Sequence, residues 1–329
     1  MFCTQPFNRI EIYENGDVYN CCPEFINNYK IGNIFKTPFD EIWNGEKVKN
    51  IRRHLLNGDF SLCNDICSRK YHNENKDKYT SETVFDYPED ISISSDNSCN
   101  VKCKICRDEN WHITFDKNSL DKEIEEIWLP VLKNAKIVRF GCSGEPFASY
   151  KETLLIQKIA QRYPDIKFHI HTNGILGNKE KLESLNIFNR IDKITVSMHS
   201  ASLWTYNKIV RGGQYFKVLK NLKLYSEMKK SGLLNELRMI FVVYSENYKE
   251  MPGFVKLAKK YNASAEFWAL RKSNTALCKN FEKYSIINPE HKKHKELVNI
   301  LKKPVFDEKN AILYPELSSL RKQNMKELI

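Results

Sequence analysis

Apolar and polar positions along the chain fall into stretches of distinct period. Asn8-Arg9-Ile10-Glu11-Ile12-Tyr13 alternates as a half-buried strand does, Glu14-Asn15-Gly16-Asp17 offers an Asn-Gly turn, and Val18-Tyr19-Asn20-Cys21 runs back. This predicts a β-hairpin. Thr37-Pro38-Phe39-Asp40 reads as an N-cap, a proline at the first helical position and an acid three residues past the cap. The helix expected to follow carries Ile42, Trp43, Val48, Ile51 and Leu55 as its stripe, breaks near Gly45 and stops at Gly58. Residues 68–89 are polar, lack an apolar period and read as a linker.

From Asp90-Ile91-Ser92-Ile93-Ser94 onward, strand and helix periods alternate. Leu120, Ile124, Ile127, Val131 and Leu132 predict a helix over 119–134, bent at Pro130. Further strands are expected at 136–141, 166–171, 193–198, 236–243 and 263–268, and helices at 151–162, 179–185, 203–230 and 249–261. That is about six βα units, hence a parallel sheet covered by helices, an α/β fold. A partial barrel and a doubly wound sheet would both give this alternation. Asn288-Pro289-Glu290 predicts a helix running to Leu301, with His291 and His294 solvated among lysines.

A chain of 329 residues with 41% hydrophobic content can bury a large core, enough for one large domain and a smaller one. There is no run of about eighteen apolar residues, and Met1-Phe2-Cys3-Thr4-Gln5-Pro6 lacks a secretory layout. The expected location is cytoplasmic. Ten cysteines in a chain of this kind point to metal ligation rather than disulfides. The net charge of +11 admits a polyanionic partner, but the basic residues are not clustered. Solvated lysine faces are the expected outcome, and nucleic acid is not an expected partner.

Ser98-Cys99-Asn100-Val101-Lys102-Cys103-Lys104-Ile105-Cys106 brings three thiols into one short loop at a strand's C-terminal end. That spacing can wrap three corners of an iron-sulfur cube and leave the fourth iron open to a substrate. Zinc is the alternative, though a structural zinc wants four ligands. Cys3 and Cys21 flank the hairpin, and Cys63 and Cys67 follow the helix, so these four can complete a closed set around a 4Fe-4S cluster or a zinc. Cys22 is a spare beside Cys21. Gly141-Cys142-Ser143-Gly144-Glu145-Pro146 ends the second βα strand, where glycine lets backbone approach a ligand and Glu145 can accept from an ammonium. His171-Thr172-Asn173-Gly174 ends the third, where a plain Asn-Gly turn is the alternative reading. Ser197-Met198-His199-Ser200 ends the fourth, and Arg211-Gly212-Gly213 is expected on the following helix.

The CX3CX2C loop resembles that of the radical S-adenosylmethionine (radical SAM) superfamily, and residues 1–70 resemble its twitch or SPASM auxiliary-cluster domain in the Gly16-x4-Cys21 hairpin closure and the later cysteine pair. The resemblance implies a partial (β/α)6 TIM-like barrel over 90–270, with 1–70 as a one-cluster auxiliary domain, 71–89 as linker and 271–329 as a C-terminal helical extension. It implies a 4Fe-4S cluster on Cys99, Cys103 and Cys106 that binds SAM, and a second 4Fe-4S cluster on Cys3, Cys21, Cys63 and Cys67. By the same resemblance Ser143, Gly144 and Glu145 stand where a Gly-Gly-Glu-Pro motif receives the SAM amino group, with Ser143 replacing a glycine. Asn173 belongs to a Thr-Asn-Gly segment, Ser197 contacts the ribose, Arg211 lies near the SAM carboxylate, and Ile105 covers adenine where relatives often have an aromatic residue. In such enzymes an electron from a reductant such as flavodoxin or ferredoxin cleaves SAM to a 5′-deoxyadenosyl radical, which takes hydrogen from the substrate. The implied substrate is a peptide or protein side chain undergoing oxidation, cross-linking or epimerisation, or alternatively a carbohydrate or other small molecule. In some radical SAM epimerases a cysteine returns the hydrogen, a part that Cys142 or Cys278 could take here. Two other classes remain open: a nucleic-acid-binding protein, and a zinc-stabilised scaffold without catalysis.

Overall fold

The computed structural model describes residues 2–64, 67, 78–106, 117–272 and 277–326. Among them the strands are β1 (Arg9–Tyr13), β2 (Asp17–Tyr19), β3 (Gly32–Asn33), β4 (Asp90–Ser94), β5 (Lys102–Cys103) and β6 (Ile137–Phe140). They continue with β7 (Lys167–Thr172), β8 (Ile191–Ser197), β9 (Val210–Arg211), β10 (Glu236–Val243), β11 (Ser264–Ala269) and β12 (Ala311–Leu313). The six strands expected of the βα units are all present, and the fold is mixed α/β with a mostly parallel sheet. The chain divides into two compact units, Met1–Ser98 with His112–His169, and Cys99–Trp111 with Ile170–Ile329.

In the first unit the order is β6-β4-β1-β2-β3. The hairpin strand β1 does more than pair with β2: it also runs parallel to β4 from Arg9↔Asp90 to Tyr13↔Ser94. Because β4 runs parallel to β6, Ile10, Ile91 and Val138 share one row, and Ile12, Ile93 and Phe140 the next; all six are buried. Each such side chain contributes roughly 1.5–3 kcal/mol of burial. The opposite face is polar and self-paired, with Arg9 2.8 Å from Glu11 and Arg139 2.6 Å from Asp90.

Helices in this unit depart from the sequence reading at their ends. Thr37 does not cap: its N–H is bonded to Asn33 O at 3.0 Å, and the cap position falls on Pro38, whose extended backbone precedes Phe39–Trp43. The break near Gly45 is present, with Glu46–Leu56 restarting beyond it, and it requires glycine because a Cβ there would stand 2.7 Å from Glu41 O. The helix expected over 119–134 is Lys117–Glu123 followed by a widened turn, Ile124–Trp128, in which Leu129 N–H reaches Ile124 O. Pro130, with no N–H to give, then opens a tight turn, Pro130–Leu132. Of the polar stretch, 68–77 lies outside the described residues, and 82–86 packs on the preceding helix. Glu82 O accepts from Arg52 at 3.0 Å, Val84 O from Asn44 at 2.8 Å and Asp86 O from Trp43 at 2.8 Å.

In the second unit the parallel strands run in the order β12-β11-β10-β8. Leu237, Met239, Phe241 and Val243 alternate inward with Ala265, Phe267 and Ala269 beside them, and helices Tyr215–Lys230 and Met251–Lys260 contribute Val218, Leu222, Phe254 and Val255 to the buried core. Phe241 and Phe254 centre 4.9 Å apart. The other face carries Lys193, Ser197, Glu236, Arg238 and Glu266, with Lys193 2.9 Å from Glu236 and Arg238 bridging Glu236 and Glu266.

The helix expected over 203–230 is two helices, Leu203–Ile209 and Tyr215–Lys230, with β9 between them. The first helix stops at Ile209, and the paired glycines turn the chain after β9: Gly212 takes φ +78°, Gly213 N–H donates to Val210 O at 2.9 Å, and a Cβ on Gly213 would lie 2.6 Å from the Tyr206 ring. The helix expected from Asn288 begins instead at His294, because the Asn288 side chain accepts from Glu290 N–H at 3.1 Å and closes a local turn. β12 and the helix Pro315–Lys326 have no counterpart in the sequence reading of the C-terminal extension. No helix among the described residues is long and apolar enough to cross a membrane.

Arg52 is fully buried; it donates to Pro6 O at 2.8 Å, Asn44 Oδ1 at 2.9 Å and Glu82 O, and lies 4.3 Å over the Trp43 ring. Arg52→Ala leaves those acceptors unpaired and the indole uncovered, and is expected to cost about 3 kcal/mol. Urea unfolding of the metal-free chain, compared with wild type, measures it.

Candidate metal centre and cofactor site

The cysteine loop belongs to the second unit and is held by backbone. β5 pairs antiparallel with β9, Lys102 opposite Arg211 and Cys103 opposite Val210, and Lys104 N–H continues onto Ile209 O at 2.8 Å. Cys106 N–H donates to Cys103 O at 3.0 Å, closing a turn that brings the third cysteine back over the second. Cys99 and Cys103 are half-buried, Cys106 is exposed and Ile105 is buried. Arg211 is therefore an exposed strand residue across from the loop, not the helical residue expected from sequence. Lys104 Nζ grips both oxygens of Glu246, at 2.7 and 2.8 Å. Burial raises the Glu246 carboxyl, but the Lys104 bonds and charge outweigh it and hold it below the usual range.

Asn173, at the end of β7, donates to Asn100 Oδ1 at 2.8 Å and lies 3.9 Å from Cys99 Sγ. Its neighbour Gly174 takes φ +80°, where a side chain would meet Val196. Ser197 Oγ is 2.6 Å from His171 Nε2. His199, left-handed at φ +60°, accepts the Val242 N–H at Nδ1 (3.2 Å), and Asn247 Nδ2 holds its carbonyl at 3.0 Å. Burial, joined by Lys193, pulls His171 down to about 4, and burial with His171 beside it pulls His199 down to about 3. Both imidazoles are neutral at pH 7. The sequence reading assigned neither histidine; the signal available was their place at the C-terminal ends of parallel strands.

The Glu-Pro turn belongs to the first unit. Gly144 passes so close to the end of β4 that a Cβ would stand 2.7 Å from Asp96 O and 2.9 Å from Ser98 O, and Glu145 N–H donates to Ser98 O at 2.8 Å. Asp96 accepts from Ser98 N and Oγ, each at 2.9 Å, and from Ser149 Oγ. Ser149 in turn caps the helix Tyr150–Arg162 through Glu152 N–H at 3.0 Å. Glu145 is buried, and Ser143 beside it is partly covered. Burial, then Asp96, pushes the Glu152 carboxyl well above its usual value. Cys142 Sγ rests 3.1 Å from Ser92 Oγ. The Cys278 side chain lies outside the described residues.

The first unit also holds Cys3, Cys21, Cys63 and Cys67. Burial first, then Glu11, Cys3 and Cys67, pushes the Cys21 thiol well above its usual value. Cys22 is pushed up to about 12 by burial and by Glu11, with Glu24 and Cys142 as its charged neighbours rather than Cys3 or Cys67. Cys63 N–H is on Phe60 O at 2.9 Å, and Cys67 N–H on Asn64 O at 3.1 Å, placing Cys63 one turn before Cys67. Among the described residues no three His, Cys, Asp or Glu side chains close on one point as ligands of a single ion. An iron-sulfur cube binds each thiolate at a separate iron, so its ligands need not converge in that way. An all-thiol donor set whose members repel one another as thiolates fits a cationic iron-sulfur or zinc centre.

Residues 93–258 match the model of the radical SAM superfamily, and residues 3–69 match the SPASM iron-sulfur cluster-binding domain. A protein of Saccharolobus solfataricus described as a probable GTP 3′,8-cyclase is 28% identical over 183 residues, 52% of this chain and 53% of its own. One of Saccharolobus islandicus with the same description is 28% identical over 177 residues, again 52% and 53%. The chain spans about half the length of these curated relatives. Among solved structures, TYW1 with a lysine-pyruvate adduct matches with a TM-score of 0.41 at 14% identity, over 65% of this chain and 71% of that one. BtrN in complex with AdoMet and 2-DOIA matches with a TM-score of 0.27 at 14% identity, over 71% and 86%.

Two outcomes follow from the geometry. Because the folded pKa values of His171 and His199 lie below the unfolded value of about 6.5, the unfolded chain binds protons first. Their contribution to stability is thus complete above that pH and is lost as pH falls towards 4. Replacing both, His171→Gln with His199→Asn, is expected to remove up to about two protons from the slope of unfolding free energy between pH 6.5 and 4, read by urea titrations at several pH values. Gly144→Ala must displace the backbone of residues 96–98, and a lowered thermal midpoint worth about 1–3 kcal/mol is expected.

Proposed function

The chain belongs to the radical SAM superfamily, and from that premise we propose that it is an enzyme that uses S-adenosylmethionine to abstract hydrogen from a peptide or protein side chain. The observation that carries the reading is the CX3CX2C loop, laddered to β9 and touched by Asn173, within a chain whose residues 93–258 match the family. The family and the SPASM match imply three groups: a SAM-binding 4Fe-4S cluster, an auxiliary iron-sulfur cluster, and SAM. When bound, they supply one-electron cleavage of the sulfonium and the strong hydrogen abstraction that side chains cannot perform.

The protein's own residues would bind, orient and exclude. Cys99, Cys103 and Cys106 would hold the first cluster, and Cys3, Cys21, Cys63 and Cys67 the second. Gly144 brings backbone to the edge of its turn, with Ser143 and the buried Glu145 carboxylate as acceptors for the SAM ammonium. Ser197, oriented by His171, would meet the ribose, Arg211 the carboxylate and Ile105 the adenine, while Asn173 braces Cys99. In this reading residues 1–70 form the auxiliary-cluster region, 71–89 the connection, 90–270 the SAM-binding barrel and 271–329 its extension. A flavodoxin or ferredoxin is the matching reductant, and the reducing cytoplasm is where such thiols persist.

The peptide assignment is supported by the SPASM-type region, and the GTP 3′,8-cyclase relatives favour a second reading, a nucleotide or other small molecule. Anaerobic reconstitution is expected to give about eight irons per chain, two cubanes, and 5′-deoxyadenosine on reduction with SAM. Cys103→Ala is expected to retain about four irons and to release none of it. Mass spectrometry of candidate peptides against nucleotides separates the two substrate readings. A zinc-loaded wild type that leaves SAM intact would falsify both.

A further inference from the structure

The helix Leu203–Ile209 leads straight into β9, the strand that holds the cysteine loop, and it carries Trp204 with 83% of its surface exposed. Phe216, at the start of the next helix, is 70% exposed. Large aromatic side chains are normally buried or seated on a partner, so two left in water on adjoining helices mark a contact surface. Packing joins the two helices: the Tyr206 and Tyr215 rings centre 5.3 Å apart, Tyr215 Oη donates to Ala201 O at 3.0 Å, and the Phe216 ring sits edge-on 5.6 Å from that of Tyr215.

Charge along this stretch is of one sign. Residues 203–226 hold five lysines and arginines and no Asp or Glu. Lys208 stands one helical turn beyond Trp204, and Lys220 one turn beyond Phe216, so each aromatic shares its helix face with a lysine. Lys217 and Lys220 are exposed and have no ion pair among the described residues. The acids packed against the first helix are already occupied. Glu250 accepts from Ala201 N–H, Ser202 and Thr205, and Glu246 is held by Lys104.

The same surface is tied to the cysteine loop by side chain and by backbone. Lys208 Nζ lies 3.6 Å from Glu246 Oε2, on the carboxylate that Lys104, between Cys103 and Cys106, takes at 2.7 Å. The helix ends at Ile209, whose carbonyl accepts the Lys104 N–H at 2.8 Å, and Val210 then pairs with Cys103. Trp204 is five residues, about 8 Å of helix, from that junction.

We propose that the surface carrying Trp204, Phe216, Lys217 and Lys220 is the docking site of an acidic electron-donor protein that reduces the cluster held by the cysteine loop. The proposal rests on the cluster reading above. In the step it serves, the reduced donor loses one electron and the cluster gains it, with no bond or proton exchanged. The lysines steer the donor's carboxylates to the surface, and the aromatics anchor it there. Encounters of this class use small interfaces, which suits two aromatics among a few lysines. RNA would meet the same charge, but its chemistry gives no reason for a seat beside Cys103.

Trp204→Ala, and separately Lys217→Glu with Lys220→Glu, change only exposed side chains. In the anaerobically reconstituted chain, 5′-deoxyadenosine release is measured with two reductants, dithionite and a reduced flavodoxin of low isoelectric point. With dithionite both variants are expected to match wild type. With limiting flavodoxin both are expected to lose about tenfold in rate. Added salt is expected to slow the flavodoxin-driven reaction of wild type and to leave the dithionite-driven one in place. Equal losses with both reductants overturn the proposal, as does an unchanged flavodoxin-driven rate in both variants. Binding of RNA or of a second copy of the chain through these side chains, with flavodoxin-driven release untouched, also overturns it and assigns the surface to that partner. So does a wild type that cleaves SAM with dithionite yet takes electrons from neither flavodoxin nor ferredoxin. A wild type that cleaves no SAM with dithionite instead overturns the cluster reading, and the proposal falls with that reading.

Discussion

The antiparallel pairing of Lys102-Cys103 with Val210-Arg211 is the constraint on which the placing of the cysteine loop within the second unit depends. Three thiols in one short loop could splay apart if the loop were mobile. Here the ladder and the Lys104–Ile209 bond that continues it remove the option. The paired glycines after Arg211 turn the chain out of this strand, Gly213 being packed too closely on the Tyr206 ring for a side chain. Lys104 then secures the loop to the end of β10, spending its charge on Glu246 rather than on solvent. A cation paired in this way leaves the loop's electrostatics to the thiolates and to whatever metal they hold.

In the first unit the cysteines come from the hairpin and from the residues after the helix, elements far apart in sequence, and burial, with Glu11, Cys3 and Cys67 as neighbours, raises the Cys21 thiol. Cohesion comes from the apolar rows of Ile10, Ile91 and Val138 and of Ile12, Ile93 and Phe140, which join the hairpin to the barrel-type strands. Arg52 bolts the helix to the incoming and outgoing chain. The hairpin is consequently an integral strand of a parallel array as well as a carrier of cysteines.

Both units share a division of labour across their sheets. One face is apolar and sealed by helices; the other is charged and satisfied internally, by Arg9, Glu11, Asp90 and Arg139 in one unit and Lys193, Glu236, Arg238 and Glu266 in the other. Charges already paired with each other have little pull on ligand charge. At the strand ends of the second unit stand the neutral imidazoles of His171 and His199, with Ser197 on the first of them.

By itself the sequence determined the fold class, the six βα strands and the hairpin, because each is written in local spacing: periods of two and 3.6 residues and an Asn-Gly turn. It could not show that β1 lies against β4, that β12 joins β11, or that Arg211 is a strand residue opposite Lys102, since those pairings are paid for by partners distant in the chain. Nor could it single out His171 and His199 among residues of their kind. Burial and the identity of the atom a side chain faces are properties of packing, and only the tertiary structure decides them.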